Sequence, residues 1–227
     1  MITRVGEALR AYPRRNPVTA GYLALLLATH VWLGYLAAPN TADAVLAASS
    51  TNLDNLARDP VGSLAASALF FDGPLNPTAW PGFGATAVTL FLGIGCALAW
   101  LERRVGALRA FGVFAAGHIG ATLITAGVIT VAIGQGWYPA SVRSASDFGI
   151  SYGAQAVLAA VTFGLPRSLR PWWALGVVAW PLVGGALTRD AHTPWPDFPT
   201  VGHLTAAAIG FPLGAVLLGA RRGPTRR

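Results

Sequence analysis

The chain of 227 residues contains no lysine, a single cysteine and few charged residues of any kind. Charged residues make up 11% of the sequence, against 54% that are hydrophobic. A soluble domain of this size cannot bury so much apolar surface, so the composition argues against a water-soluble enzyme and indicates a membrane protein. Because Cys96 is the only cysteine, an intrachain disulfide and a cysteine-based metal site are excluded. Its apolar neighbours predict a small, buried packing residue.

Six stretches approach the roughly 20 apolar residues that a helix needs to cross a bilayer. They are residues 18–38, 83–101, 108–133, 148–165, 171–188 and 200–220. The sequence therefore predicts an all-α fold, a polytopic bundle of six transmembrane helices over residues 18–220, here called spans one to six. A basic arm, residues 1–17, precedes the bundle, and a basic tail, residues 221–227, follows it.

The sixteen arginines divide unevenly between the two sides of such a bundle. With the N-terminus inside, thirteen arginines and two glutamates fall in inner segments, and three arginines and seven aspartates fall in outer loops. Because basic residues collect on the cytoplasmic side, we expect a plasma-membrane protein with both termini in the cytoplasm. The arm is expected to lie as a helix on the anionic inner leaflet. This distribution accounts for the net charge of +7 without a nucleic-acid partner.

The longest connection, residues 39–82, joins spans one and two and is itself partly apolar. It contains ADAVLAASS and GSLAASALFF among proline, asparagine and aspartate residues. A fully solvated linker would not carry such patches, so we expect short helices half-buried at the outer interface.

The segment GISYG, residues 149–153, has the Gly-x-Ser-x-Gly spacing found at the nucleophile of many soluble hydrolases. No alternating strand pattern precedes Ser151, and a helical bundle offers no parallel sheet, so that interpretation is rejected. In the bundle, spans four and six run in the same direction, and Ser151 and His203 each lie about three residues from the start. Both are expected about 5 Å below the outer boundary, at equal depth.

Close packing of spans four and six would bring this serine and histidine together. The small residues at the expected interface are Gly149 and Gly153 in span four and Gly210 and Gly214 in span six. Small side chains let helices approach closely enough for an imidazole to reach a serine hydroxyl. The alternative is a hydrogen bond between Ser151 and His203 that only holds the two spans together.

Together these features resemble the rhomboid family of intramembrane serine proteases. The resemblance rests on GISYG, on GHLTAAAIG near the start of span six, on the long first loop, and on LERRVG at the inner end of span two. It implies that Ser151 is a nucleophile and His203 its general base, a dyad without an acid, a cofactor or a metal. It also implies transmembrane protein substrates, cleaved near the outer leaflet.

The chain departs from the family pattern around the dyad. Tyr152 stands where the family usually has glycine, and Gln155 stands where many members have a tyrosine that stacks on the histidine. Span two lacks the histidine and asparagine that help to hold the oxyanion, which leaves Thr86 and Thr89 as candidate donors. Loss of one such donor costs about 100 to 1000-fold in turnover. The alternative function is therefore a weak or inactive rhomboid-like protein that binds transmembrane clients.

Other polar residues are interpreted structurally. His30 and His118 lie within spans one and three, and we expect each to bond to a neighbouring helix rather than to relay protons or bind a ligand. Asp147 is expected to cap span four, and Glu102 to orient spans two and three. A third class, a small transporter, is disfavoured because the sequence contains no inverted repeat.

Overall fold

The computed structural model of the protein describes residues 2–71, 73–189 and 194–219. Throughout these ranges the regular structure is helical, without strands. Spans one to six are Pro17–Leu36, Gly82–Val105, Ala107–Gly134, Ile150–Gly164, Arg170–Thr188 and Phe198–Gly219. Five of them are long and apolar enough to cross a membrane, and span four is shorter. The predicted all-α polytopic bundle is therefore confirmed, with one helix shorter than a full span.

Span four forms the centre of the bundle. Residues Tyr152–Val161 are all buried, and the helix packs against spans two, three and six. Gly93 of span two lies so close to Ala154 that a β-carbon would collide with its methyl group. Gly117 of span three meets Ala156 in the same way. Because water does not drive apolar helices together inside a bilayer, this close van der Waals packing of small residues holds the bundle.

The first loop reaches into the bundle. Its helices are Pro39–Ser49, Leu53–Arg58 and Pro60–Ser67. The Tyr22 hydroxyl of span one donates to the Ala68 carbonyl at 2.7 Å, and Nε2 of His118 in span three lies 2.8 Å from the Leu64 carbonyl. The helix Pro60–Ser67 therefore packs between spans one and three, deeper than the outer-interface position suggested by the sequence.

Glu102 joins the inner ends of spans one and two. Its carboxylate accepts hydrogen bonds from the backbone N–H groups of Val18 and Thr19 at 3.1 and 2.9 Å and from the Thr19 hydroxyl at 2.6 Å. The first-turn N–H groups of a helix lack internal partners, and Asn16, the residue before span one, does not cap them with its side chain. The expectation that Glu102 orients spans two and three was wrong, because the unsatisfied donors belong to span one.

The arm forms the helix Ile2–Arg15 and contacts span two, where the Tyr12 hydroxyl donates to the Gly95 carbonyl at 2.7 Å. Cys96 lies beside this contact and is exposed, so the prediction of a buried cysteine was wrong. The basic tail, residues 221–227, lies outside the described residues.

Candidate active site

Ser151 lies in the first turn of span four, and the first loop fixes the segment before it. The Ser50 hydroxyl accepts from the Asp147 N–H at 2.9 Å, and the Asp147 carbonyl accepts from the Thr51 N–H at 2.9 Å. These bonds hold the chain just before span four against residues about 100 positions earlier. The serine is therefore positioned by two distant segments together.

Span four begins well inside the bundle. Gly149 packs directly against the ring of His118, and a β-carbon at this glycine would collide with it. His118 lies sixteen residues before the end of span three, which corresponds to about 24 Å along that helix. Measured against span three, the expected depth of 5 Å for Ser151 is too small. That expectation assumed that all spans start at one level, whereas span four is the shortest and starts late.

Spans four and six approach each other closely below the serine. A β-carbon at Gly210 would collide with the Ala156 carbonyl, and one at Gly214 with the Ala160 carbonyl. The Gly-x-x-x-Gly step therefore packs directly against the backbone of span four. By contrast, Gly153 makes room for the ring of Phe114 in span three. Gly149 and Gly153 thus serve the contact of span four with span three rather than with span six.

The ring of His203 is held by two neighbours. Nδ1 lies 2.6 Å from the Pro199 carbonyl, and because a carbonyl only accepts, Nδ1 carries the proton. The neutral ring then keeps its lone pair on Nε2, the form that a general base requires. The ring makes a T-shaped contact with the ring of Tyr152, with centroids 5.0 Å apart and planes at 79°. Gly202 makes room for this tyrosine, whose ring would collide with any side chain there.

Ser151 and His203 line the same two cavities, of about 200 and 290 Å³. The serine hydroxyl makes one long contact, 3.5 Å to the Phe148 carbonyl, and forms no hydrogen bond to His203. The two side chains therefore line the same cavities without a hydrogen bond between them.

The two candidate oxyanion threonines differ in what their hydroxyls do. The buried Thr86 hydroxyl donates to the Gly82 carbonyl of its own helix at 3.2 Å. Thr89 lines both cavities, and its hydroxyl forms no hydrogen bond to the described residues. A third source is the first turn of span four, whose N–H groups have no helical partners and no side-chain cap.

Asp147 was expected to cap span four, and this was wrong because the cap position is occupied by Gly149 without any side-chain hydrogen bond. Its carboxyl instead lines the smaller cavity beside Ser151. Burial raises the pKa of Asp147 to about 6, although the facing hydroxyls of Tyr152 and Thr51 and the Phe148 N–H favour the charged form. The site therefore contains a carboxyl whose protonated form is favoured by burial.

His30 and His118 bond or stack within the fold. His118 contacts the Leu64 carbonyl, and its buried Nδ1 has no partner. His30 stacks on Phe71 of the first loop, with ring centroids 4.5 Å apart. Nowhere in residues 2–71, 73–189 and 194–219 do three His, Cys, Asp or Glu side chains gather as a metal would require.

A lateral cleft leads to the site between spans two and five. The cavity of about 290 Å³ is lined by Ala85 and Thr89 of span two and by Trp180 and Gly184 of span five. A third cavity, of about 270 Å³, continues along span five past Trp180 and is lined by Gln155 of span four. Ser151 and His203 therefore line a cleft that lies between spans two and five.

Sequence reasoning missed the roles of three residues at this site. The ring of Tyr152 contacts the ring of His203, whereas the sequence analysis noted it only as a departure from the family's usual glycine. Asp147 faces the cavity, and Gln155 bonds to span five. Tyr152 and Asp147 lie within four residues of Ser151, so proximity to this candidate residue was the only sequence signal for them.

A family model described as "Rhomboid-like protein" matches residues 11–222 of the chain. Neither a curated protein nor a solved structure matches it. The matched range runs from the arm helix to beyond the last span and includes every residue of the candidate site.

Proposed function

The chain belongs to the rhomboid-like protein family, and from that premise we propose that it is an intramembrane serine endopeptidase that cleaves transmembrane proteins. The single observation that carries the proposal is that Ser151 and His203, from different spans, line the same two cavities. Two polar side chains inside a bundle are costly unless they are paired or used, and these two are not paired with each other. Neither a cofactor nor a metal is required.

The proposed reaction begins with proton transfer from the Ser151 hydroxyl to Nε2 of His203 as Oγ attacks the carbonyl carbon of a peptide bond. The imidazolium then gives this proton to the leaving amine as the C–N bond breaks, leaving an ester on Ser151. A water molecule, deprotonated by the same nitrogen, hydrolyses the ester. A missing serine–histidine hydrogen bond in a substrate-free enzyme is compatible with this role, because such bonds often form only with substrate bound.

We propose that the oxyanion is held by the Thr89 hydroxyl and the N–H of Ser151. Neither donor has a hydrogen-bond partner among the residues that the structure describes, so neither has to break such a bond to bind the charge. Donors that are already oriented contribute most to stabilising a developing oxyanion. Thr86 is the weaker candidate because its hydroxyl already donates to Gly82.

The cleft between spans two and five is the proposed route for a transmembrane substrate. It opens towards lipid and ends at Ser151, so a substrate helix that unwinds there meets the serine without leaving the membrane. The arginine distribution supports a plasma-membrane location with both termini in the cytoplasm, which would put the site on the outer side.

Labelling with a fluorophosphonate probe tests the proposal directly. Detergent-purified wild type is expected to be labelled, and Ser151→Ala and His203→Ala are expected to lose labelling by at least the roughly 100-fold typical of a catalytic base. Ser144→Ala is the matched control, because this exposed serine bonds only within its own turn. Absence of labelling in folded wild-type protein would contradict the proposal.

A second candidate is a rhomboid-like protein that holds transmembrane clients without cutting them. The observation that favours it is the absence of a hydrogen bond between Ser151 and His203. In addition, the only side-chain candidates for an oxyanion donor in span two are Thr86 and Thr89. Photo-crosslinking of a single-span client separates the two candidates. A client holder keeps its crosslink yield in Ser151→Ala and yields no cleaved product from wild type.

A further inference from the structure

Span five contains a proline, and this leaves one backbone carbonyl without its helical partner. In an α-helix the carbonyl of residue i accepts from the N–H of residue i+4. Pro181 has no N–H, so the Val177 carbonyl loses its acceptor bond inside the helix. An unsatisfied carbonyl within a membrane bundle is costly, because no water is present to replace the lost hydrogen bond.

Gln155 of span four supplies the missing partner. Its side-chain Nε2 donates to the Val177 carbonyl at 2.6 Å, and both residues are buried. Gln155 lies one turn after Ser151, at the position where the sequence comparison expected a tyrosine next to the histidine. A side chain from span four therefore satisfies the carbonyl that Pro181 leaves without a partner in span five.

Span five has little other attachment at this level. Val177 and Pro181 are its only buried residues, and Leu175 and Val183 on either side are 59% and 52% exposed. At the inner end, Trp173 Nε1 donates to the Leu158 carbonyl at 2.9 Å. At the proline, the Thr200 hydroxyl donates a longer hydrogen bond, 3.3 Å, to the Pro181 carbonyl. The Gln155 bond is therefore the shortest polar contact near the middle of the helix.

The bond also borders the lateral cleft. Gln155 and Val177 line the cavity of about 270 Å³, whose opposite wall is formed by Val88 and Leu92 of span two. Movement of span five away from span four would widen this cavity and the cleft above it, which share Trp180. Such movement would break the Gln155 bond.

We propose that the Gln155–Val177 hydrogen bond, made available by Pro181, is a latch that sets the resting separation of span five from spans two and four. The latch acts on the width of the cleft whether the protein cuts its clients or only holds them. Gln155 is thus a positioning residue, and its partner exists only because of the proline.

The test measures the distance between span two and span five by double electron–electron resonance between two spin labels, in lipid nanodiscs. Spin labels are attached at Phe91→Cys and Val178→Cys, two exposed positions, after Cys96→Ala removes the native thiol. Gln155→Met keeps the side-chain length and removes the donor. In this background we expect a longer and broader distance distribution than in the protein with Gln155.

Pro181→Ala provides the decisive comparison because it returns an N–H to span five that can satisfy the Val177 carbonyl. Adding Gln155→Met to Pro181→Ala is then expected to leave the distribution unchanged. Trp173→Phe is the matched control, since it removes a hydrogen bond between the same two spans and is expected to act equally in both backgrounds.

Two results would overturn the latch. One is an unchanged distance in Gln155→Met alone, which decides the matter even if Pro181→Ala fails to fold. The other is an equal shift from Gln155→Met with and without Pro181, which would mean that the glutamine acts by packing alone. Neither result depends on fluorophosphonate labelling, so failure of the latch and failure of the proposed protease activity are distinguishable.

Discussion

The ring of Tyr152 stands edge-on to the ring of His203, with centroids 5.0 Å apart, although the tyrosine directly follows the proposed nucleophile. The residue after Ser151 thus supports the residue that would take the serine's proton. Tyr152 is completely buried, and Gly202 beside the histidine provides the space for its ring. An aromatic side chain therefore contacts the histidine from a different position than the family pattern suggested.

We expect Tyr152→Phe to retain most fluorophosphonate labelling and Tyr152→Leu to lose it by about tenfold or more. An aromatic edge contact contributes on the order of 1 kcal/mol beyond simple burial, and loss of this contact frees the histidine ring to rotate. Initial labelling rates across several probe concentrations measure the effect. Equal rates for the phenylalanine and leucine variants would contradict the role of the ring contact.

We expect Thr89→Val to lower the labelling rate by about 100-fold, within the range for loss of one oxyanion donor. Valine keeps the shape of threonine and removes the hydroxyl. Thr86→Val is the matched variant, and it is expected to retain most labelling because its hydroxyl donates to Gly82. A larger loss for Thr86→Val than for Thr89→Val would reverse the assignment.

Gly210→Leu is expected to separate spans four and six and to abolish both labelling and client crosslinking. A side chain there meets the Ala156 backbone, which cannot move aside as a flexible side chain could. Overpacking of this kind typically costs about 1–3 kcal/mol, and more against backbone. Gly127→Leu in span three is the control, because a β-carbon at that glycine would meet no other part of the described structure within 4 Å. Thermal unfolding in detergent should show a lower midpoint for Gly210→Leu only.

Asp147 is expected to make stability depend on pH between about 4 and 6. Burial raises its pKa from 3.8 to about 6, so the folded state favours the protonated form. The protonated carboxyl therefore contributes fully to the free energy of unfolding below about pH 4. This contribution is lost as the pH rises through 6, and the loss is at most about 3 kcal/mol. The carboxyl is partly accessible, which reduces this value.

Unfolding midpoints of wild type and Asp147→Asn measured from pH 4 to pH 7 check this expectation. Asp147→Asn should lose most of the dependence of the midpoint on pH. Asp43→Asn, at an exposed position in the first loop, should keep it. An unchanged slope in Asp147→Asn would mean that another group carries the pH dependence.

Glu102→Gln is expected to destabilise the protein by about 1.5–3 kcal/mol, the usual range for hydrogen bonds to a charged group. The amide can still accept from one N–H of span one, but it loses the charge that favours the helix N-terminus. Glu7→Gln on the exposed side of the arm is the control. Chemical or thermal unfolding in detergent measures the difference.

The spans were predictable because hydropathy and arginine distribution carry independent information about them. Runs of apolar residues located all six helices to within a few residues, and span two was found although its middle section has a wider helical turn. Length alone did not reveal that span four starts late. The level at which a helix starts depends on what packs against it, and here that is the His118 ring against Gly149.

The site was predictable in part, because helical periodicity determines which residues share a face. Helical spacing placed Gly210 and Gly214 on the face of His203, which is the face that packs on span four. The partners of Glu102 and Gln155 could not be inferred, because each bonds to backbone groups left unsatisfied in another helix. Such partners depend on tertiary arrangement, which no local pattern records.

The short length of span four affects how a peptide bond could be exposed to Ser151. Its fifteen residues extend over about 22 Å, less than the roughly 30 Å of a bilayer's hydrocarbon core. Just before Ser151, the chain is joined to the first loop by the hydrogen bonds of Asp147 with Ser50 and Thr51. A client helix that unwinds at the proposed nucleophile would meet polar groups there, among them the Thr89 hydroxyl and the uncapped first-turn N–H groups of span four, and these would lower the cost of exposing its backbone inside a membrane.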